Sequence, residues 1–345
     1  MRHFRFSFLL ATAAAALLTA GTLRAQAQYS AHLLPLTTAV PGGLYMDYIA
    51  YDRSTGLVWA PAGNTGTVYI VDTKTEDVKQ LTGFATKEVE IRGRKRTLGP
   101  TAATVGKHVV YVGNRADASV CAFDALSFAK GACVQLDSMP DGLAYVEPTR
   151  EVWVTTPRDH SIRILDAETL AQKAKLSFDG NPEGFAVDAT RHRFYTNLED
   201  KDRTLAIDLR SHKTIATWNP SCGSEGPHGL RTDSARGQLF VVCDARAEVL
   251  DAVHGGKVLS TIDTGDGVDD LDYDRATHRL YVGAAKDGKL TIANVSRSGK
   301  LSLDSQVPTH AGARNPVVAK NGTVYLAHSM MADLSDLVVV SAASK

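Results

Sequence analysis

The sequence predicts a seven-bladed β-propeller, and three observations carry that expectation. A short apolar run centred on an aromatic residue recurs seven times, the recurrences are spaced at the length of a four-stranded blade, and the chain ends hold complementary parts of one blade. The runs are Leu57-Val58-Trp59-Ala60, Val109-Val110-Tyr111-Val112, Glu151-Val152-Trp153-Val154, Arg193-Phe194-Tyr195-Thr196, Gln238-Leu239-Phe240-Val241, Arg279-Leu280-Tyr281-Val282 and Thr323-Val324-Tyr325-Leu326. Their aromatic residues are separated by 52, 42, 42, 45, 41 and 44 positions. The first gap is long because it contains the charged insertion Lys87 to Arg96, which reads as an extended hairpin or loop.

Each unit follows one grammar. An apolar strand enters a turn such as Asp188 to His192 or Asp274 to His278, and the aromatic strand follows. A Gly/Asn/Asp turn then leads to a third strand, such as Thr67 to Asp72 or Ser161 to Asp166, and a more polar fourth strand such as Gln172 to Ser177 closes the unit. Trp59, Trp153 and Tyr281 therefore belong to a core stripe, and His160, His192 and His278 to solvated turns. The last unit stops at a third strand, Leu337 to Ser341, and the segment Ala31 to Thr38 is expected to supply its fourth. Such pairing removes two open sheet edges.

The chain has 345 residues, 44% of them hydrophobic, with 28 glycines and 12 prolines. This composition excludes a disordered polymer. Length alone would suggest two or three domains, but seven blades use up residues 28–345 as one domain. Residues 1–27 read as a secretory signal peptide: Arg2, His3 and Arg5 precede an apolar, alanine-rich run from Phe6 to Ala20, and Ala25-Gln26-Ala27 has the small-x-small form of a cleavage site. Cleavage there removes three of the 38 basic residues (Arg2, Arg5, Arg24) and none of the 38 acidic ones, so the net charge falls from zero to −3. A nucleic-acid partner held by bulk charge is thereby disfavoured. No second run of membrane-spanning length follows, so the expected location is periplasmic or secreted, as a monomer.

The four cysteines suit an oxidising compartment. Cys121 and Cys133 flank a hairpin-like stretch and are expected to bridge two strands, and Cys222 and Cys243 to tie a loop to a nearby strand.

The candidate site comes from counting back from each aromatic. Twelve positions earlier stand Asp47, Asp141, Glu183, His228 and Asp269. The other two units have turns that read as two residues shorter, which puts Thr101 and Asn315 at the equivalent place. These seven polar residues are expected to ring one mouth of the central channel and to bind a small-molecule, peptide or protein ligand. Glycine follows the polar residue in Pro140-Asp-Gly-Leu143, Pro182-Glu-Gly-Phe185 and Pro227-His-Gly-Leu230, and is expected to let a ligand approach the backbone. Clustered carboxylates repel unless something positive lies between them. A divalent cation (calcium, zinc, manganese or iron) held by Asp141, Glu183, His228 and Asp269 would answer that need, with His228 or Glu183 as the candidate general base of a hydrolase. The basic segment Arg92 to Arg96 reads as a solvated hairpin able to touch an anionic partner.

With Val-Val-Tyr-Val-Gly-Asn at 109–114 and Arg-Leu-Tyr-Val-Gly-Ala at 279–284, the repeats resemble the YVTN-repeat family of exported propellers over essentially the whole chain after the leader. That resemblance implies the propeller fold and a binding role in the cell envelope. Pro140-Asp-Gly-Leu143 also resembles a metal-ligand motif of the regucalcin/gluconolactonase family, calcium- or zinc-dependent lactonase propellers. Those have six blades and another ligand order, so the likeness implies a metal role for Asp141 alone, with lactone hydrolysis as the alternative function. No Gly-x-Ser-x-Gly elbow or phosphate-binding loop supports another enzyme class. A quinone-dependent dehydrogenase would be expected to show eight blades and a vicinal cysteine pair.

Overall fold

The computed structural model describes Met1 and residues 29–37, 40–91, 93–328 and 334–343. Seven antiparallel four-stranded sheets form the blades, and the innermost strands are Ala50–Asp52, Pro100–Val105, Leu143–Val146, Pro182–Asp188, Leu230–Asp233, Val268–Asp274 and Ala313–Val318. The described residues contain no α-helix, only four single 3-10 turns. The proposed signal peptide and its cleavage site lie outside the described residues, Met1 apart.

All seven repeat aromatics are second-strand residues and at most 3% exposed. Their cross-strand neighbours on the innermost strands include Ala50 for Trp59, Ala144 for Trp153 and Ala186 for Tyr195. In those three blades a small residue leaves room for the large ring, whereas Phe240 and Tyr281 face Arg231 and Asp272, and some neighbouring blades pack ring to ring. The Trp153 and Phe194 centroids, for instance, lie 4.5 Å apart. Several turns between strands put histidine in the left-handed region (His160, His192 and His278 at φ 53–55°), which histidine tolerates better than bulky or β-branched residues. His278 is less solvated than expected, because Tyr273 Oη lies 2.9 Å from its Nδ1.

The ring closes as the termini suggested. Tyr29–Pro35 pairs antiparallel with Asp336–Ala342, from Tyr29 opposite Ala342 to Pro35 opposite Asp336, and becomes the outermost strand of the seventh blade. The two predicted disulfides are present: Cys121 and Cys133 are cross-strand partners, and Cys222 joins Cys243. The charged insertion is a separate two-stranded hairpin, Lys87–Ile91 with Arg94–Leu98, between the first and second blades.

Deleting residues 1–35 should leave the Asp336–Ala342 edge unpaired. The expected result is a lower thermal midpoint together with concentration-dependent association in light scattering. A truncated protein that melts like the full chain and stays monomeric would show that the closing strand is dispensable.

Candidate functional site

The mouth is built where the innermost strands begin, and local irregularity shapes it. Register shifts occur in this stretch between Pro100 and Ala102, Glu183 and Phe185, Val268 and Leu271, and Arg314 and Pro316. A bulge turns a side chain that would otherwise stand between blades toward the channel. In six blades the expected residue occupies one place, three positions before the residue facing the repeat aromatic: Asp47, Thr101, Asp141, Glu183, His228 and Asp269.

The seventh differs. Tyr325 faces Val317, so the equivalent residue is Arg314, and Asn315 is the bulged residue beside it at φ 50°. The seventh blade is one residue shorter here, not two. An odd shortening moves the register by one position.

That shift supplies the positive charge the carboxylates require. Arg314 Nη1 lies 2.8 Å from Asp269 Oδ2, and its Nη2 3.4 Å from Asp47 Oδ1. Arg115, from the turn that follows the second blade's aromatic strand, donates to Asp47 Oδ2 at 2.8 Å, to Asp141 Oδ1, and to the Tyr45 hydroxyl at 3.0 Å. Asn315 Nδ2 adds hydrogen bonds to Asp47 Oδ1 (3.1 Å) and Asp269 Oδ2 (2.8 Å). A continuous chain thus runs Asp141–Arg115–Asp47–Arg314–Asp269 around most of the mouth. Thr101, at 1% exposure, carries no charge, and Arg115 occupies its sector.

The remaining arc is different. Glu183 and His228 belong to no ion pair among the described residues. Burial drives the Glu183 carboxyl well above the ordinary range, reinforced by its hydrogen bond with Glu199 and by the negative charges of Asp141 and Asp269. Its environment therefore favours the protonated form. Asp269 goes the other way: burial would raise it, but Arg314, the Asn315 hydrogen bond and His228 outweigh that and hold it ionised. Asp47 is pushed up to about 6 by burial, with Arg314 and Arg115 offsetting part of the effect.

The four residues expected to share a cation do not form a metal-holding group. Asp141 and Asp269 direct carboxylate oxygens to arginines, and no set of three or more His, Cys, Asp or Glu among the described residues is placed to hold a metal. Arg115 and Arg314 were not singled out from sequence. A second count would have found the first of them, since the residue four positions after the aromatic is Arg115 in the second blade and Glu199 in the fourth.

The glycines serve packing between blades. A Cβ on Gly184 (φ 49°) would lie 1.9 Å from the His228 carbonyl oxygen, one on Gly142 2.4 Å from the Phe185 ring, and one on Gly229 2.2 Å from Asp270 Oδ1. Where the sixth blade replaces the glycine by Asp270, that carboxylate takes a forked pair from Arg231, at 2.9 and 3.2 Å. Burial pushes Asp270 up to about 6 despite Arg231. Below this second charged layer, the innermost strands of all seven blades line a cavity of about 400 Å³, with Tyr48, Tyr145, Phe185 and Asp272 in its wall.

Beside Glu183 is a smaller cavity of about 220 Å³ that His228 does not line. Its lining combines Tyr45, Arg115, Asp141 and Glu183 with Arg96 to Leu98 of the hairpin and with Met139, Pro140, Pro157 and Arg158 of the third blade. Arg92 lies outside the described residues, but the hairpin's Arg96 borders the mouth.

A seven-bladed propeller with an ion-paired mouth and a cavity on one side of it is the class of protein these features define. No family model and no curated protein matches the chain. Solved structures do. A chain of the mitotic checkpoint complex superposes with a TM-score of 0.71 at 13% identity, covering 99% of this chain and 98% of that one. A streptogramin B lyase structure gives 0.70 at 12% identity (91% and 97%), and virginiamycin B lyase from Staphylococcus aureus 0.69 at 12% (91% and 99%). At such identities the likeness establishes the propeller fold alone.

Two outcomes follow for the charges. Asp47 and Asp270 titrate at about 6 when folded against an ordinary 3.8, so the folded chain keeps protons that the unfolded chain has shed. Their contribution to stability is fully present below pH 3.8 and is lost as pH rises through about 6. Replacing Arg115 by Ala strands Asp141 and leaves Asp47 to Arg314 and Asn315 alone, a change expected to cost about 3–5 kcal/mol at pH 8. At pH 5 these carboxyls can take up protons, so the loss should shrink. Urea denaturation at both pH values checks this, and an equal loss at each would assign Arg115 a packing role instead.

Proposed function

We propose that the protein is an exported binding propeller of the YVTN-repeat kind, whose mouth receives a small ligand on the Glu183–His228 arc. The observation that carries this reading is the asymmetry of the mouth. Five charged groups pair with one another around most of the ring, while Glu183 and His228 are left outside those pairs, and Glu183 lines the 220 Å³ cavity. A ring serving only to fill the channel would have no need of a half-buried acid, raised in pKa and without a cationic partner, facing an open space. A perturbed titratable group beside a cavity is a reason to look for a ligand there.

Export is supported by the leader-like N-terminus and by the two disulfides, which persist in oxidising compartments. No helix among the described residues is long and apolar enough to cross a membrane. The lactonase alternative would need a cation to polarise a carbonyl and activate water. Asp141, its one ligand suggested by motif, is bound to Arg115 here, so the binding reading has the better support.

The test is a thermal-shift screen of small organic acids, amines, sugars and dipeptides against the wild type and a Glu183→Ala/His228→Ala double variant. At least one class should raise the wild-type midpoint by several degrees and leave the double variant unmoved. The variant itself should fold, because neither side chain takes part in the arginine pairs. If no class shifts the wild type, or every class shifts both proteins alike, the mouth is not a ligand site.

A further inference from the structure

Resting on that reading of the mouth, the geometry points to a definite ligand class: we infer that the 220 Å³ cavity takes a small organic acid, with its carboxylate between Arg96 and Arg158 and a second polar group at Glu183. The charge around the cavity decides the sign. Asp141 in the lining is paired with Arg115, and Arg115 in turn is committed to Asp141 and Asp47. Glu183 accepts no ion pair. What remains are the guanidinium groups of Arg96, on the hairpin, and Arg158, in the 3-10 turn Pro157–Asp159 of the third blade. Both are exposed, and neither makes an ion pair among the described residues. The cavity therefore presents two arginines without an ion-pair partner among the described residues, while its lining aspartate, Asp141, is paired with Arg115.

The geometry of the donors narrows the class further. Guanidinium groups present planar forks that match carboxylates and phosphates. One belongs to the insertion and one to the third blade, so an anion held by both would link the hairpin to the ring. Glu183 also lines the cavity, and burial together with Glu199 pushes its carboxyl up, so the negative charge there is disfavoured. A ligand bearing a second polar group a few bonds from its carboxylate would meet it. Leu98, Met139, Pro140 and Pro157 supply an apolar wall for the carbon skeleton between the two ends. The volume falls below the roughly 300–1,000 Å³ of drug-sized sites, which favours a compact acid over a peptide or oligosaccharide. A cation would face two like charges on entry and find its only carboxylate partner already bound to Arg115.

Isothermal titration at pH 6.5 with succinate, its neutral diamide succinamide and the diamine putrescine tests the assignment. Succinate should bind, more weakly as salt rises, and Arg96→Ala/Arg158→Ala should lower its affinity at least tenfold. Glu183→Gln keeps an uncharged polar group there and should stay within about threefold of wild type, whereas Glu183→Ala should lose most binding. Both exposed arginines lie outside the ion-paired ring, so melting of their double variant should match the wild type and separate lost binding from lost folding. The assignment is overturned if succinamide or putrescine binds as well as succinate, or if the arginine variant binds succinate normally. Binding of either control that disappears in Glu183→Ala/His228→Ala would keep the mouth as a site and discard the organic acid. If none of the three probes binds, the organic-acid assignment falls, and the broader screen decides the mouth.

Discussion

Closure of the ring is the constraint on which everything else in this protein rests. Seven twisted sheets arranged around an axis meet face to face only if the seventh blade is complete, and it is completed by residues from the opposite end of the chain. The pairing of Tyr29–Pro35 with Asp336–Ala342 spans the largest sequence separation in the fold. It also brings Leu34 into the core cluster that holds Leu44, Met46 and Val339. Those residues lead directly into Asp47, the carboxylate on which both arginines converge. The mouth chemistry is thus anchored at the seam where the chain joins itself.

Around that seam the mouth resolves a conflict between geometry and charge. Putting one polar residue per blade at the same height brings Asp47, Asp141, Glu183 and Asp269 together, and four ionised carboxylates in a partly desolvated space repel strongly. The molecule meets this in two ways. Arginine enters from two places, the seventh innermost strand and the turn that follows the second blade's aromatic strand, and pairs with three of the four acids. The fourth, Glu183, is left without a cation, and its carboxyl is pushed up. One ring therefore contains both an ion-paired segment and an unpaired acid, and the difference between them follows from which blades carry an arginine.

Much of this is legible in the sequence, and the misreadings have physical causes. The aromatic stripe is legible because every blade must fill the same space beside the axis, so the residue type repeats at a nearly constant interval. The disulfides and the closing strand follow from hairpin spacing and from a last unit one strand short. Asn315 was placed one position off because turn length can be read only approximately from composition, and a strand tolerates an even error but not an odd one. Arg115 was missed for a different reason. It lies in the turn that follows the aromatic strand, four residues beyond Tyr111, and only the fold brings that row level with the ring. The glycines after Asp141, Glu183 and His228 were assigned to ligand approach, although each is required because the next blade's backbone or side chain occupies the space of a Cβ.

The row four residues after the aromatic also explains why the site lies where it does. In the second blade that row holds Arg115, which is drawn inward by Asp47 and Asp141 and locks its sector. In the fourth blade the same row holds Glu199, which cannot neutralise Glu183 and instead shares a hydrogen bond with it. A single exchange of charge sign at equivalent positions therefore turns one sector into structure and leaves another available. The inserted hairpin stands beside this boundary, following the first blade and contributing Arg96 and Leu98 to the cavity wall. Seven repeats alone would give a symmetric mouth with no preferred side. The arginine in one row, the glutamate in its counterpart and the insertion between two blades break that symmetry at adjoining places, and the cavity lies where the three effects meet.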